Sequence, residues 1–204
     1  MPPLSRHRII DTAIQMADRD GLDAVTLRRI AKELGSHVTS LYNHVADRDA
    51  VTTGIVDELI TRADLPTGEV EWEPWVRAFV AAIGQIAEEH PGAFAALQRR
   101  PVESPTASAS FEAALGAFQR AGLNLADAYG AVKATTYVAL SIGVERALSR
   151  RGEETETSLE QLPAEAFPHI HALSDQPEPE VAWAFSAETL IAGLRDRIRQ
   201  SKTR

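Results

Sequence analysis

Residues 26–48 read TLRRIAKELGSHVTSLYNHVADR, and this segment decides the predicted fold. Apolar residues recur at helical spacing on both sides of Gly35. They are Leu27, Ile30, Ala31 and Leu34 before the glycine, and Val38, Leu41 and Val45 after it. The pattern predicts two short helices joined by a glycine-containing turn. With an amphipathic first helix at about 5–20 packed across both, they form a helix-turn-helix.

The second of these two helices carries compact polar side chains and almost no charge. They belong to His37, Thr39, Ser40, Tyr42, Asn43 and His44. Solvated helix faces are usually built from Lys and Glu, so this nearly uncharged polar face is better suited to contacting another molecule than to facing water. A DNA major groove about 12 Å wide accepts one helix, and small polar groups meet the base edges there. We expect phosphate contacts around it from Thr26, Tyr42, His44 and Arg48.

The composition is that of an ordinary globular protein, with 44% hydrophobic and 25% charged residues in 204. No apolar stretch approaches the roughly 18 residues of a membrane span, and the N-terminus has no apolar signal segment. The absence of cysteine excludes disulfides and thiolate metal sites and fits a reducing compartment. We therefore expect a cytoplasmic protein of one large or two small domains that does not bind membranes.

Charge is distributed unevenly along the chain, whose net charge is −8. Residues 1–48 contain seven Lys or Arg against six Asp or Glu, whereas the remainder contains 14 against 23. The N-terminal part can therefore approach a polyanion, while the acidic remainder stays clear of it.

Helical periodicity continues to the C-terminus, and the predicted fold class is all-α. We expect a three-helix DNA-binding domain at 1–46 and a larger helical domain at 47–204, with a connecting helix at about 47–63. Further helices are predicted at about 74–89, 93–99, 107–121, 125–150 and 180–201, with a loop between Pro101 and Pro105 and an acidic, mobile connection at 151–164. No Gly-rich phosphate loop, HExxH, GxSxG or cysteine cluster occurs, so we do not expect an enzyme.

The segments TLRRIAKELG and LYNHV, followed by Asp47 and Arg48, closely resemble the DNA-binding region of the TetR family of bacterial transcriptional repressors. The resemblance implies that Arg28 reads guanine and that Val38, Thr39, Ser40 and Asn43 face the bases. The spacing of Val38 to Leu41 also suits core packing, although we favour the groove. The family's usual Lys is Arg at position 48, and Ser36 and His37 depart from its pattern, which shifts the expected helix cap to Ser36.

The resemblance continues more weakly into the ligand-binding and dimerisation domain of tetracycline-repressor-like members. An apolar pocket among the predicted helices has the usual form of a small-molecule site. Its expected walls are Trp75, Phe79, Phe94, Leu97, Phe111, Phe118, Val138 and Ile142, and its polar anchors are Arg100, Thr135, Ser141 and Glu145. Plain core packing is the alternative for each aromatic. Tetracycline-binding members hold a magnesium ion partly through a His whose matching position here is Ala96, and we expect neither a resident metal nor a cofactor.

The resemblance also implies a homodimer in which the helix at 125–150 and the last helix pack against the same pair of a partner. The expected interface residues are Tyr129, Val132, Trp183, Leu190, Leu194 and Ile198. The predicted function is a ligand-responsive repressor that binds a palindromic operator in double-stranded DNA and is released by a small-molecule inducer. The alternative is an architectural or partner-regulated DNA-binding factor without an inducer.

Overall fold

The computed structural model describes residues 3–99, 104–152, 163, 165–172 and 179–203. These residues form helices and no strand, which confirms the predicted all-α class. None of the helices in these ranges is long and apolar enough to cross a membrane. The helices are α1 (Arg6–Asp20), α2 (Leu27–Glu33), α3 (Val38–Leu41), α4 (Arg48–Arg62), α5 (Trp72–Glu89), α6 (Ala96–Arg99), α7 (Pro105–Ala121), α8 (Leu125–Arg151), α9 (Pro168–His171) and α10 (Pro179–Ser201).

The headpiece comprises α1, α2 and α3, and its helix ends follow from the sequence. Thr26 caps α2 by accepting a hydrogen bond from the backbone N–H of Arg29 at 3.3 Å. Gly35 has a φ of 61°, a left-handed conformation that lets the chain turn sharply before α3. The residue at the cap of α3 is His37, which makes no side-chain capping bond, so the expectation of Ser36 at this position is wrong.

A first apolar core lies between the headpiece and the body, which we define as α4 to α10. Its buried residues include Ile10 of α1, Ile30 of α2 and Leu41 of α3. The same cluster continues through Ile55 of α4 to Phe94, which follows α5. Because this core is continuous, the headpiece is packed against the body rather than tethered to it.

A second core lies within the body, among α5, α7, α8 and α10. Trp75, Phe118 and Ile191 are its largest fully buried side chains. Trp75 also donates a hydrogen bond from its indole N–H to the buried hydroxyl of Ser110 at 3.3 Å. This core fixes which side of each long helix faces inward, and therefore where a cavity can form.

Two details of the body differ from the sequence predictions. The helix expected at 93–99 is a 3-10 turn over Ala93–Ala95 followed by α6. Pro105 is the first residue of α7 and not the end of a loop, because proline suits the first turn of a helix and the Ser104 hydroxyl caps the helix by accepting a hydrogen bond from the backbone N–H of Ala107 at 3.0 Å. Most of the connection expected at 151–164 lies outside the described residues.

Candidate nucleic-acid interface and ligand cavity

One side of α3 is anchored in the core, and its other sides lie at the surface. Leu41 is fully buried and Val45 nearly so. Val38 is half-buried and packs against the same core, so it contributes to packing while part of its side chain remains at the surface. Tyr42 is 55% exposed. Of the other expected groove-facing residues, Ser40 is half-buried, and the exposed ones are His37, Thr39, Asn43 and His44.

Two expected DNA contacts flank α3 on α2. Arg28 is exposed, and within the described part of the chain its guanidinium has no hydrogen bond or ion pair. Thr26 uses its hydroxyl oxygen as a helix cap, which leaves the hydroxyl proton available to another acceptor. The structure therefore brings the sequence-predicted residues of α2 and α3 to one region of the headpiece surface.

Arg48, the third element of this surface, is held by the headpiece through an intramolecular network. Its guanidinium donates to the carbonyls of Leu22 and Asp23 at 3.3 and 3.4 Å and lies 3.6 Å from the Asp23 carboxylate. The same carboxylate accepts a 2.7 Å hydrogen bond from Arg99 of α6. The hydrogen bond and positive charge of Arg99 hold the pKa of the Asp23 carboxyl below its usual range, and Arg48 makes a smaller contribution in the same direction. Asp23 thus lies between the body and an expected phosphate contact.

A second polar contact joins the headpiece to the body at the end of α5. The carboxylate of Asp18 in α1 accepts hydrogen bonds from the backbone N–H groups of Gly92 and Ala93 at 3.1 and 2.9 Å, and lies 2.8 Å from Nδ1 of His90. A Cβ at Gly92 would lie 2.0 Å from the carbonyl oxygen of Ala17. The contact therefore needs glycine at 92, and a single aspartate in an amphipathic helix gave no sequence signal for it.

Helices α4, α5, α7 and α8 surround a cavity of about 630 Å³. Four of the predicted pocket residues line it, namely Trp75, Phe79, Leu97 and Phe111. The stacked rings of Trp75 and Phe79 lie 4.8 Å apart between centroids. The remaining lining residues are Ile60, Leu65, Ile83, Ala107, Ser108, Glu112, Val132, Lys133, Thr136 and Leu140.

The other predicted pocket residues do not line this cavity. They are Phe94, Phe118, Thr135, Val138, Ser141, Ile142 and Glu145, and Arg100 is outside the described residues. Phe94 fills the space beside Gly143, where an added Cβ would lie 2.3 Å from its ring. Thr135 donates its hydroxyl to the carbonyl of Ala131 at 2.9 Å. Glu145 accepts a hydrogen bond from the Trp183 indole at 2.7 Å and so ties α10 to α8.

The polar cavity residues Ser108, Glu112, Lys133 and Thr136 were missed by sequence reasoning. Ser108 lies three residues before Phe111 and four residues before Glu112, and both of these spacings place residues on one side of a helix. This spacing was the available signal for the α7 wall. For α8 it was ambiguous, because the helix is apolar on more than one side and its inward face depends on the packing of its neighbours.

The cavity also reaches the connecting helix. Ile60 near the end of α4 and Leu65 just beyond it form part of the wall. Arg48 stands at the opposite end of α4. One rigid element therefore has a cavity wall at one end and an expected DNA contact at the other.

The expected dimer-interface residues are mostly inside the protomer. Val132 lines the cavity, and Trp183 is only 7% exposed; Leu194 and Ile198 are buried as well, because this stripe of α10 faces its own core. Leu190 is half-buried and Tyr129 is exposed. The apolar surface of these helices is instead carried largely by Tyr129 and Tyr137 on α8 and by Val181 and Phe185 on α10.

Comparisons with known proteins match this arrangement. Residues 9–51 match the family model described as "Bacterial regulatory proteins, tetR family". An HTH-type transcriptional regulator of Saccharopolyspora erythraea is 33% identical over 146 residues, which cover 71% of this chain and 62% of that regulator. The chain spans only 46–62% of the length of this regulator and of two further curated relatives.

Two other similarities extend over nearly the whole chain. Tetracycline repressor protein class D of Escherichia coli is 26% identical over 203 residues, covering 95% of this chain and 90% of the repressor. The solved structure of ActR of Streptomyces coelicolor in complex with (S)-DNPA is 26% identical, with a TM-score of 0.77 over 95% of this chain and 98% of that one. These similarities confirm the resemblance to the tetR family of bacterial regulatory proteins that was identified from residues 26–48.

Proposed function

We propose that the protein is a ligand-responsive transcriptional repressor of the bacterial cytoplasm that places α3 in the major groove of a DNA operator. The observation that carries this proposal is the surface of α3, which exposes Thr39, Tyr42, Asn43 and His44 while Leu41 holds the helix to the core. Base edges are read by short polar side chains of this kind. Arg28 on α2 reads guanine, and Thr26 and Arg48 contact phosphates.

The proposed repressor acts as a homodimer. Tyr137, at 63% exposure on α8, and Phe185, at 72% exposure on α10, form the centre of an apolar surface suited to a second copy. Two copies of α3 about 34 Å apart then read successive major grooves of a palindrome. The second headpiece is needed because one headpiece carries too little positive charge for firm phosphate binding.

The proposed ligand binds in the cavity and acts through α4. Tetracycline repressor class D and the ligand-bound ActR structure are relatives of matching length, and the cavity volume lies in the range of small-molecule sites. A ligand that favours the dimer with a displaced α4 shifts the population away from the operator-binding form. Tenfold release requires about 1.4 kcal/mol of differential affinity.

A gel shift on palindromes from DNA flanking the gene tests the proposal. We expect the wild-type protein to bind one palindrome, and Arg28→Ala and Tyr42→Phe to weaken binding. Arg77→Gln, which removes one positive charge from the exposed side of α5, is the matched control and should bind like wild type. Equal binding by all four proteins, or binding by none, would overturn the proposal. If no ligand releases the protein from the operator, an architectural DNA-binding factor without an inducer is favoured.

A further inference from the structure

The cavity has an apolar floor and a polar side, and this inference about its ligand rests on the proposed function. The floor is made by the buried residues Trp75, Ile83 and Leu97. The polar side is formed by half-buried and exposed residues, so it is the side toward solvent. These residues are Ser108, Glu112, Lys133 and Thr136. A ligand filling the floor presents its polar end to them.

Lys133 is the only cation that lines this cavity among the described residues, and it is half-buried. Its Nζ lies 4.9 Å from the centroid of the Tyr137 ring, and within the described ranges it pairs with no carboxylate. A contact with an aromatic face leaves the ammonium donors without an acceptor. Because a partly desolvated charge is stabilised by a partner, an anionic group from a ligand would complete this site.

Among the other polar groups the Ser108 hydroxyl favours an anionic ligand, Thr136 does not select for one, and Glu112 opposes one only weakly. The Thr136 hydroxyl already donates to the carbonyl of Val132 at 2.9 Å and is therefore left with acceptor capacity only. The Ser108 hydroxyl makes no hydrogen bond within the described ranges and can donate. Glu112 is exposed, so water already solvates its carboxylate and a cationic ligand gains less there.

The aromatic residues define the apolar part of the ligand. Trp75 and Phe79 stack with 20° between their ring planes, and Phe111 meets Tyr129 edge to face at 71°. Flat rings pack well against such surfaces. We propose that the ligand is an aromatic acid, with its rings on the cavity floor and its carboxylate, or an equally acidic hydroxyl, at Lys133.

Isothermal titration of the full chain with three matched probes tests this proposal. The probes are 2-naphthoic acid, its neutral amide 2-naphthamide and the cation 2-naphthylmethylamine. We expect the acid to bind about tenfold more tightly than the amide, as a partly buried ion pair allows. Lys133→Gln should remove this preference without changing affinity for the amide. Glu112→Gln, at the same side of the cavity, should leave acid binding intact or strengthen it.

Three results would overturn the proposal: tightest binding of the amide or amine, binding of none of the probes at millimolar concentration, or full acid affinity in Lys133→Gln. If Lys133→Gln changes the oligomeric state and retains acid binding, the lysine serves the dimer surface instead. The operator gel shift is a separate readout. If only a neutral aromatic compound releases the protein from the operator, the proposal of an acidic ligand is refuted while the proposed repressor function stands.

Discussion

The headpiece and the body place their functional residues in different ways. The headpiece exposes its expected DNA contacts on a four-residue helix and its immediate flanks, all within residues 26–48. The body assembles its cavity from side chains between Ile60 and Leu140 on several helices. A contiguous surface is set by local sequence, whereas a cavity is set by how distant helices are turned toward each other.

The sharpest test of the headpiece separates its anchoring side from its exposed side. Leu41 is fully buried, so Leu41→Ala should lower the free energy of unfolding by about 2–5 kcal/mol. Asn43 is exposed, so Asn43→Ala should leave the melting temperature unchanged and weaken operator binding by about 1–3 kcal/mol. Thermal melts and gel shifts on both variants check this. Destabilisation by Asn43→Ala would place that side chain in packing rather than in the groove.

The next test asks whether headpiece and body unfold together. A Cβ at Gly92 would meet the Ala17 carbonyl at 2.0 Å and push α1 away from the end of α5. Gly92→Ala should therefore lower stability by about 1–3 kcal/mol. Gly130→Ala is the matched control, since an added Cβ there meets nothing within 4 Å and should raise stability slightly. Calorimetry should show a single unfolding transition for both variants. A separate headpiece transition in Gly92→Ala would mean that the contact between α1 and the end of α5 joins two independently folding units.

The dimer surface offers a test of the body's outer side. Phe185 is the most exposed large apolar residue of α10, and truncating a central interface aromatic costs more than about 1 kcal/mol. Phe185→Ser should therefore shift sedimentation toward single chains and weaken operator binding at low protein concentration. Phe167→Ser, at an exposed phenylalanine outside α8 and α10, should behave like wild type. A Phe185→Ser protein that remained fully dimeric would move the interface elsewhere.

The helices and the polar exposed surface of α3 could be predicted from sequence because each depends on neighbours within a few residues. Thr26, Gly35 and Leu41 specify a cap, a turn and an anchor by position alone. The cavity could be predicted only in part. Phe111 and Phe118 lie seven residues apart on one helix, yet the first lines the cavity and the second packs beneath Trp72. Apolar periodicity identifies inward faces without distinguishing a packed core from a cavity wall.

The α10 stripe shows the same limit. Trp183, Leu194 and Ile198 have the spacing of an interface, but their own protomer buries them. The surface left for a partner is carried by the aromatic residues beside them, such as Phe185. The ion pair between Asp23 and Arg99, which joins the headpiece to the body, could not be predicted from sequence because the two residues are 76 positions apart. Contacts of this range depend on the finished fold.

The smallest expected effect concerns the contact between the two regions. Arg99 and Arg48 share the Asp23 carboxylate. Removing Arg99 leaves Asp23 free to hold Arg48 more firmly and so weakens its contact with phosphate. Because the pair is exposed, Arg99→Gln should reduce operator affinity by no more than about 1 kcal/mol, and the reduction should fade at high salt. Fluorescence anisotropy with the operator at two salt concentrations measures it.

Asp23→Asn provides the control, because an amide cannot pair with either guanidinium as a carboxylate does. Adding Arg99→Gln to Asp23→Asn should change operator affinity no further, and a loss that persists in the double variant would mean that Arg99 contacts DNA directly. The low pKa of Asp23 sets the pH dependence. Its carboxyl is ionised above its ordinary value of 3.8 and loses the ion pair only as pH falls through the lower folded value, so the effect of Arg99→Gln should be constant around neutral pH.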